Sequence, residues 1–469
     1  MAPNANQVRL RNRIVNKLSE DSDDATISTV LTKNLKDNEV AIDGIIYDLN
    51  GFKHPGGDSI RVFGGNDVTV QYKMIHPLHS TKQLKKMRSV GKVSDYKMEY
   101  LFDTEFEREI KREVYKIVGY GKDFGTTGYF ARAISYLALY FFLLTKICTT
   151  GLTWQLAFAH GITQALIGLN VQHDANHGAA SKKAWVNDLL GFGADMIGGC
   201  KWLWMTQHWT HHAFTNHDEK DPDSFNAEPM LLFNDYPHGH PKRKFYHAFQ
   251  AVYFLPVLSF YWLSMVFNPQ TIDLEHRGVK SVGMNVDNEF LRSRRKWAVL
   301  IRIIYVSFTI LRPIQIAHSS GLSIGLAVIK ILSMGAIESL TLATLFSLSH
   351  NFEHVSTDPM KEMREDGKAV CWFKSQVETS STYGSFIAGY LTGGLNFQVE
   401  HHLFPRMCSA HYPYIAPKVR EICKKHGVQY IYYPWIWQNF IATVKFMNQA
   451  GTGSNWFDED FLNPLKGDL

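Results

Sequence analysis

The chain has 469 residues, enough for more than one domain, and is 45% apolar and 13% aromatic. Lys and Arg outnumber Asp and Glu by 49 to 44, and a net charge of +5 on this length is too mild to signal a nucleic-acid partner. The five cysteines, Cys148, Cys200, Cys371, Cys408 and Cys423, are widely spaced and form no Cys-x-x-Cys pair, so they suggest neither a disulfide framework nor a zinc knuckle and favour a reducing, cytosol-facing setting.

Residues 1–35 are polar, without apolar periodicity or the apolar run of a signal peptide, and read as a mobile, untranslocated tail. Residues 40–52, VAIDGIIYDLNGF, place β-branched and aromatic residues on both sides of Asp43-Gly44, the pattern of short strands joined by a hairpin. Residues 60–93 read as short helices and turns, so 36–97 is expected to be a small α+β module. Residues 105–118, EFEREIKREVYKIV, carry apolar residues at helical spacing and predict an amphipathic helix inside a linker, 98–125.

The remainder, 126–469, is expected to be an all-α body with four membrane-spanning helices, at about 129–149, 152–171, 297–317 and 322–348. Lys182 and Lys183 follow the first pair and Arg292, Arg294, Arg295 and Lys296 precede the second, so both tight turns face away from the cytosol. Residues 250–267 are also apolar but contain Pro256, and are expected to lie along the interface. The aromatic-rich stretches 201–209 and 432–440 are candidates for the lipid boundary.

The 21 histidines carry the functional signal. His54 opens His-Pro-Gly-Gly just after the strand-like segment, and His76 follows, with His79 as the alternative second ligand. Two histidines on opposite sides of a small pocket can clamp a haem iron axially, and a closed site of that kind moves electrons. These residues resemble the cytochrome b5 family over about 38–97, which implies haem b held by His54 and His76.

Three further clusters abut apolar segments: His173 and His177 in QHDANH, His208, His211 and His212 in QHWTHH, and His401 and His402 in QVEHH. Spacings of three and four residues put each of the first two sets on one helical face. Clustered imidazoles suit iron, copper, nickel or zinc, while the absence of His-Glu-x-x-His argues against a zinc protease. A shared site demands that all clusters face one side, and two spans between the second and third clusters satisfy that parity.

The clusters resemble the histidine boxes of membrane fatty-acyl desaturases, and with the fused b5-like module they resemble the front-end group. The resemblance implies two iron ions held by His173, His177, His208, His211, His212, His401 and His402, with His350 as a further ligand and Gln398 as the first residue of the third box, where the front-end group typically carries Gln in place of His. QYKMIHP, QHDANHGA, QHWTHHAFTNH and NFQVEHHLFPRM are most similar to Δ5 desaturases of diatoms and related algae. The implied reaction uses dioxygen and electrons from a cytochrome b5 reductase to insert a cis double bond into a long-chain polyunsaturated acyl lipid or acyl-CoA. The implied setting is an endoplasmic-reticulum membrane, with the haem module and boxes facing the cytosol. A Δ4, Δ6, Δ8 or sphingoid-base desaturase, a b5-fused lipid hydroxylase and a simple haem carrier are the alternatives.

Overall fold

The computed structural model describes residues 29–77, 84–217, 219–234, 236, 239–268, 284, 286–355 and 369–453. Residues 1–28 of the expected tail and His79 lie outside them. The N-terminal module is built on a five-stranded sheet of order β1-β5-β3-β2-β4, made of β1 (Thr29–Val30), β2 (Glu39–Ile42), β3 (Ile45–Asp48), β4 (Asn66–Asp67) and β5 (Arg88–Val93). β2 and β3 pair antiparallel with Ile42 opposite Ile45, so Asp43 and Gly44 alone form the turn. Their φ angles of 52° and 75° are those of the primed turn that a two-residue hairpin prefers.

Two sequence expectations change in this module. The sheet starts inside the stretch read as tail, because β1 pairs in parallel with β5. Residues 88–93, read among helices and turns, form a strand between β1 and β3. Gly91 occupies a buried position there, where an apolar side chain would have marked the alternation. Asn66–Asp67 in the same stretch also forms a strand, β4, beside β2, while the 3-10 helix at Gly57–Phe63 and the α-helix at Thr69–Ile75 are of the expected kind.

The linker helix spans Glu105–Val118, capped by Thr104, whose side chain accepts from the Glu107 N–H at 3.2 Å. Its apolar face, Phe106, Ile110, Val114 and Tyr115, is buried, and it packs on the Tyr412–Lys425 helix. Glu109 accepts from Lys425 at 2.6 Å and bonds His426 at 2.8 Å. The linker is thus part of the body rather than a loose tether.

Among the described residues, three helices have the length and composition to cross a membrane: Thr127–Thr150, Glu289–Ser319 and Ile324–His350. A bent pair, Phe245–Leu258 and Tyr261–Phe267, turns through 58° and makes a fourth if taken as one span. The expected span at 152–171 is helical, as Trp154–Ile167 running into a π-turn at Gly168–Gln172 and on to His173–Asn176. His160, Gln164 and Asn170 are buried along it and dilute its apolar character. It packs against Thr127–Thr150 on one side and Ile324–His350 on another. Of the aromatic stretches expected at a lipid boundary, 201–209 instead lies in a helix whose Trp202 and Trp209 are buried, whereas Trp435 and Trp437 are exposed.

Candidate metal and haem sites

The histidine clusters reach one place from four directions. His173 and His177 follow the π-turn, where a wider helical turn shifts the phase of the residues after it. His208, His211 and His212 share a face of the Lys201–Ala213 helix, His350 is the last residue of Ile324–His350, and Gln398, His401 and His402 sit on the short Gln398–Leu403 helix. All nine side chains are buried.

They sort into two neighbouring groups. Candidate ligand atoms of His173, His177, His208 and His401 lie within 4.8 Å of one another, and so do those of His211, His350 and His402. His212 forms a third such group with His401 and His402, and its Nε2 lies 3.1 Å from Nε2 of His208, so it stands between the two. Nε2 of Gln398 is 3.0 Å from Nε2 of His350.

Partners outside the cage fix several rings. Nδ1 of His350 donates to the Thr379 carbonyl at 2.9 Å, and Nδ1 of His402 donates to Oε1 of Gln376 at 2.8 Å, with Thr215 Oγ1 at 3.1 Å. Nδ1 of His401 bonds the Tyr412 hydroxyl at 3.1 Å, and Nδ1 of His211 donates to Asp221. Asp221 and Asp223 group with His211 as candidate ligands, but Asp221 is already engaged at Nδ1 and acts as its orienting partner. None of these partners was legible in the sequence: Asp221 stands ten residues past His211, at no helical spacing, and Thr379, Gln376 and Tyr412 come from other elements.

Burial holds the pKa values of His208, His401 and His402 well below the ordinary value, with neighbouring histidines adding to the effect. Neutral imidazoles offer lone pairs, and Nε2 of His173, His177, His401 and His402 is buried without a hydrogen-bond partner, as is Oε1 of Gln398. Each such orphan costs about 1–3 kcal/mol, and several converging on one place mark a site built for a bound cation. An imidazole set of this kind fits iron.

The second site lies in the N-terminal module. The rings of His54 and His76 face each other at 5.9 Å between centroids, turned by 88°. Nδ1 of His76 donates to the Tyr72 carbonyl at 2.7 Å, and Nδ1 of His54 lies 3.1 Å from the Gly56 N–H. A Cβ on Gly56 would come within 2.9 Å of the His54 ring, so the ring's position requires glycine there. Burial, then Arg406, lowers the His54 pKa, with a hydrogen bond to the Gly57 backbone opposing them. Two opposed imidazoles over a glycine turn fit a haem clamped axially.

The comparisons agree with this division. The fatty acid desaturase family matches residues 149–434, and the cytochrome b5-like heme/steroid binding domain matches 27–97. The chain is 30% identical to the acyl-lipid (7-3)-desaturase of Rebecca salina, covering 87% of this chain and 89% of that one. It is 28% identical to the acyl-lipid (8-3)-desaturase of Physcomitrium patens, covering 87% of each. It is 26% identical to the probable Delta(5) fatty acid desaturase C of Dictyostelium discoideum, covering 89% and 92%.

The chain belongs to the fatty acid desaturase family. It is an oxidoreductase acting on acyl lipids, with a cytochrome b5-like domain fused in front, and its relatives are front-end acyl-lipid desaturases.

Proposed function

We propose that the protein is a Δ5 front-end desaturase of long-chain polyunsaturated acyl lipids, working at the cytosolic face of an endoplasmic-reticulum membrane. One observation carries the reading: a buried cage of imidazoles with unpartnered nitrogens shares the chain with a separate pair of opposed histidines. In this reading His54 and His76 hold haem b, which is reduced by a cytochrome b5 reductase. His173, His177, His208 and His401 hold one iron, His211, His350 and His402 the other, and His212 lies within reach of both. Gln398 orients the second group or coordinates weakly through its oxygen.

When bound, the haem supplies electrons singly and the irons supply the oxidising power for dioxygen-dependent removal of hydrogen from adjacent methylenes. The reaction balances as two hydrogens lost from the acyl chain, with dioxygen, two electrons and two protons becoming two waters. The chain's residues hold the irons through rings locked by Thr379, Gln376, Tyr412 and Asp221, and the buried walls keep bulk water from the cage.

Four crossings, at 127–150, 154–176, 289–319 and 324–350, put all the histidine clusters on one face, with the bent pair at 245–267 staying on that side. The relatives carry (7-3), (8-3) and Delta(5) in their names. The motif resemblance favours Δ5 action on twenty-carbon chains, and the acyl-lipid names favour a lipid-linked substrate over acyl-CoA. Expression in yeast fed candidate polyunsaturated acids, followed by gas chromatography with mass spectra of derivatives, tests this. A new cis bond at carbon 5, appearing first in the membrane-lipid fraction, is the expected result. A bond at carbon 4, 6 or 8, or a sphingoid-base product, would replace the Δ5 part, and a hydroxylated product would end the desaturase reading.

A further inference from the structure

The N-terminal module is docked on the body by the segment that follows its His-Pro-Gly-Gly motif. The 3-10 helix Gly57–Phe63 and the helix Thr69–Ile75 both pack on Lys201–Ala213, the helix bearing His208, His211 and His212. Nδ2 of Asn288 donates to the carbonyls of Val62 and Gly64 at 3.0 and 3.3 Å, and Arg294 lies 3.4 Å from Asp58. Arg292 pairs with Asp37 at 2.6 Å.

At the centre of this contact is a run of rings. Phe63, buried at the end of the 3-10 helix, lies 6.1 Å from Trp209 between centroids. Trp209, also buried, lies 6.3 Å from His177 with the ring planes only 8° apart, and its Nε1 donates to the carbonyl of Asn176 at 3.2 Å. On the other side, Phe52 packs against the core that contains Phe63, and its ring is 6.2 Å from that of His54. Ring contacts thus join Phe63 to His177 through Trp209, and Phe52 links His54 to the same apolar core that holds Phe63.

We propose that Phe63 and Trp209 form the electron route between the two sites, an inference that rests on the functional reading above. In each transfer one electron leaves ferrous haem, which becomes ferric, and reduces one ferric ion of the pair to ferrous. Two transfers serve one turnover; no bond forms or breaks and no proton moves. The rings remain unoxidised and act as the packed medium between donor and acceptor. Both are buried in the contact between module and body, and their assigned role is to set the rate of electron delivery.

The test uses the full chain loaded with haem and iron, its haem reduced through cytochrome b5 reductase, and follows haem reoxidation by stopped-flow absorbance. Phe63→Leu and Trp209→Leu are expected to slow reoxidation severalfold, because each takes a ring out of the packed path. Trp209→Phe keeps a ring while losing the hydrogen bond to Asn176, and retains most of the rate. Phe63→Leu also leaves the haem spectrum, iron content and turnover driven by a small chemical reductant at wild-type values. Wild-type rates in both leucine variants would overturn the route, and a Trp209→Phe protein as slow as Trp209→Leu would assign Trp209 a structural role instead. Haem that is not reoxidised even in the wild-type protein would overturn the functional reading itself, and the route with it.

Discussion

Nδ1 of His211 donates to both carboxylate oxygens of Asp221, at 3.0 and 2.9 Å, and this turns Nε2 of His211 to within 3.3 Å of Nε2 of His350. Burial opposes a charge on His211, but Asp221 and Asp223 outweigh it and lift its pKa to about 9. The field that favours a proton there equally favours a metal ion. Asp221→Ala is therefore expected to lower iron affinity by about 10–100-fold, with Asp221→Asn intermediate because its amide oxygen can still accept from Nδ1. Iron content by mass spectrometry of purified protein, with haem absorbance as the control for folding, checks this. Full iron occupancy in Asp221→Ala would remove Asp221 from its orienting role.

Gln398 presents a different case. Its Nε2 sits 3.0 Å from Nε2 of His350, whose Nδ1 already donates to Thr379, while its Oε1 has no partner. The two amide ends are interchangeable by a flip, and either assignment leaves the amide against the second histidine group. An amide is a weak ligand beside imidazole, so Gln398→Ala is expected to keep most of the iron while lowering turnover clearly. Parallel assays of metal content and product yield decide the matter. Loss of both in proportion would make Gln398 a true ligand, and no change in either would make it a packing residue.

The sequence displayed the clustered histidines far better than the groups that hold their rings. Histidines at helical spacing are visible because spacing along one helix fixes a shared face, as at His208, His211 and His212. Asp43-Gly44 and the Glu105–Val118 helix were legible for the same reason: their signals are local. The partners that aim the rings come from distant elements, such as Gln376 for His402 and Tyr412 for His401, and no local pattern encodes them. The strand Arg88–Val93 escaped because Gly91 breaks its alternation. The docking of the N-terminal module is invisible in the sequence, where Trp209 falls in a stretch expected at the lipid boundary and Phe63 carries no signal of its own.

That docking sharpens the outcome for the haem ligand. His54→Ala is expected to abolish haem binding and most desaturation while leaving the iron in place, because His54 lies outside the histidine cage. A separate cytochrome b5 in excess should restore little, since the apo-module still covers the Lys201–Ala213 helix through Phe63 and is held to the body by Asn288. Product yield in cells rich in free cytochrome b5 is the measurement. Near-normal yield would show that the fused haem is dispensable, whereas residual product should keep the same double-bond position.

Gly393 joins packing to function most directly. It has φ +66°, and a Cβ there would fall 2.1 Å from the carbonyl oxygen of Leu169 and 2.6 Å from its carbon. Leu169 lies in the π-turn that leads into His173, and Gly393 stands shortly before the helix of Gln398, His401 and His402. A methyl group would have to push backbone from backbone, separating the first histidine cluster from the third. Gly427 provides the control: its φ is also +66°, but nothing lies within 4 Å of its added Cβ. Gly427→Ala should cost only the left-handed backbone, about 1–2 kcal/mol, and keep its iron. Gly393→Ala adds an overpacking cost of about 1–3 kcal/mol, and its displaced backbone should release iron from the group that pairs His173 and His177 with His401. Thermal unfolding and iron content compared across the two variants, with haem retained in both, test the difference. If Gly393→Ala held as much iron as Gly427→Ala, the close approach of Leu169 and Gly393 would not be what sets the cage.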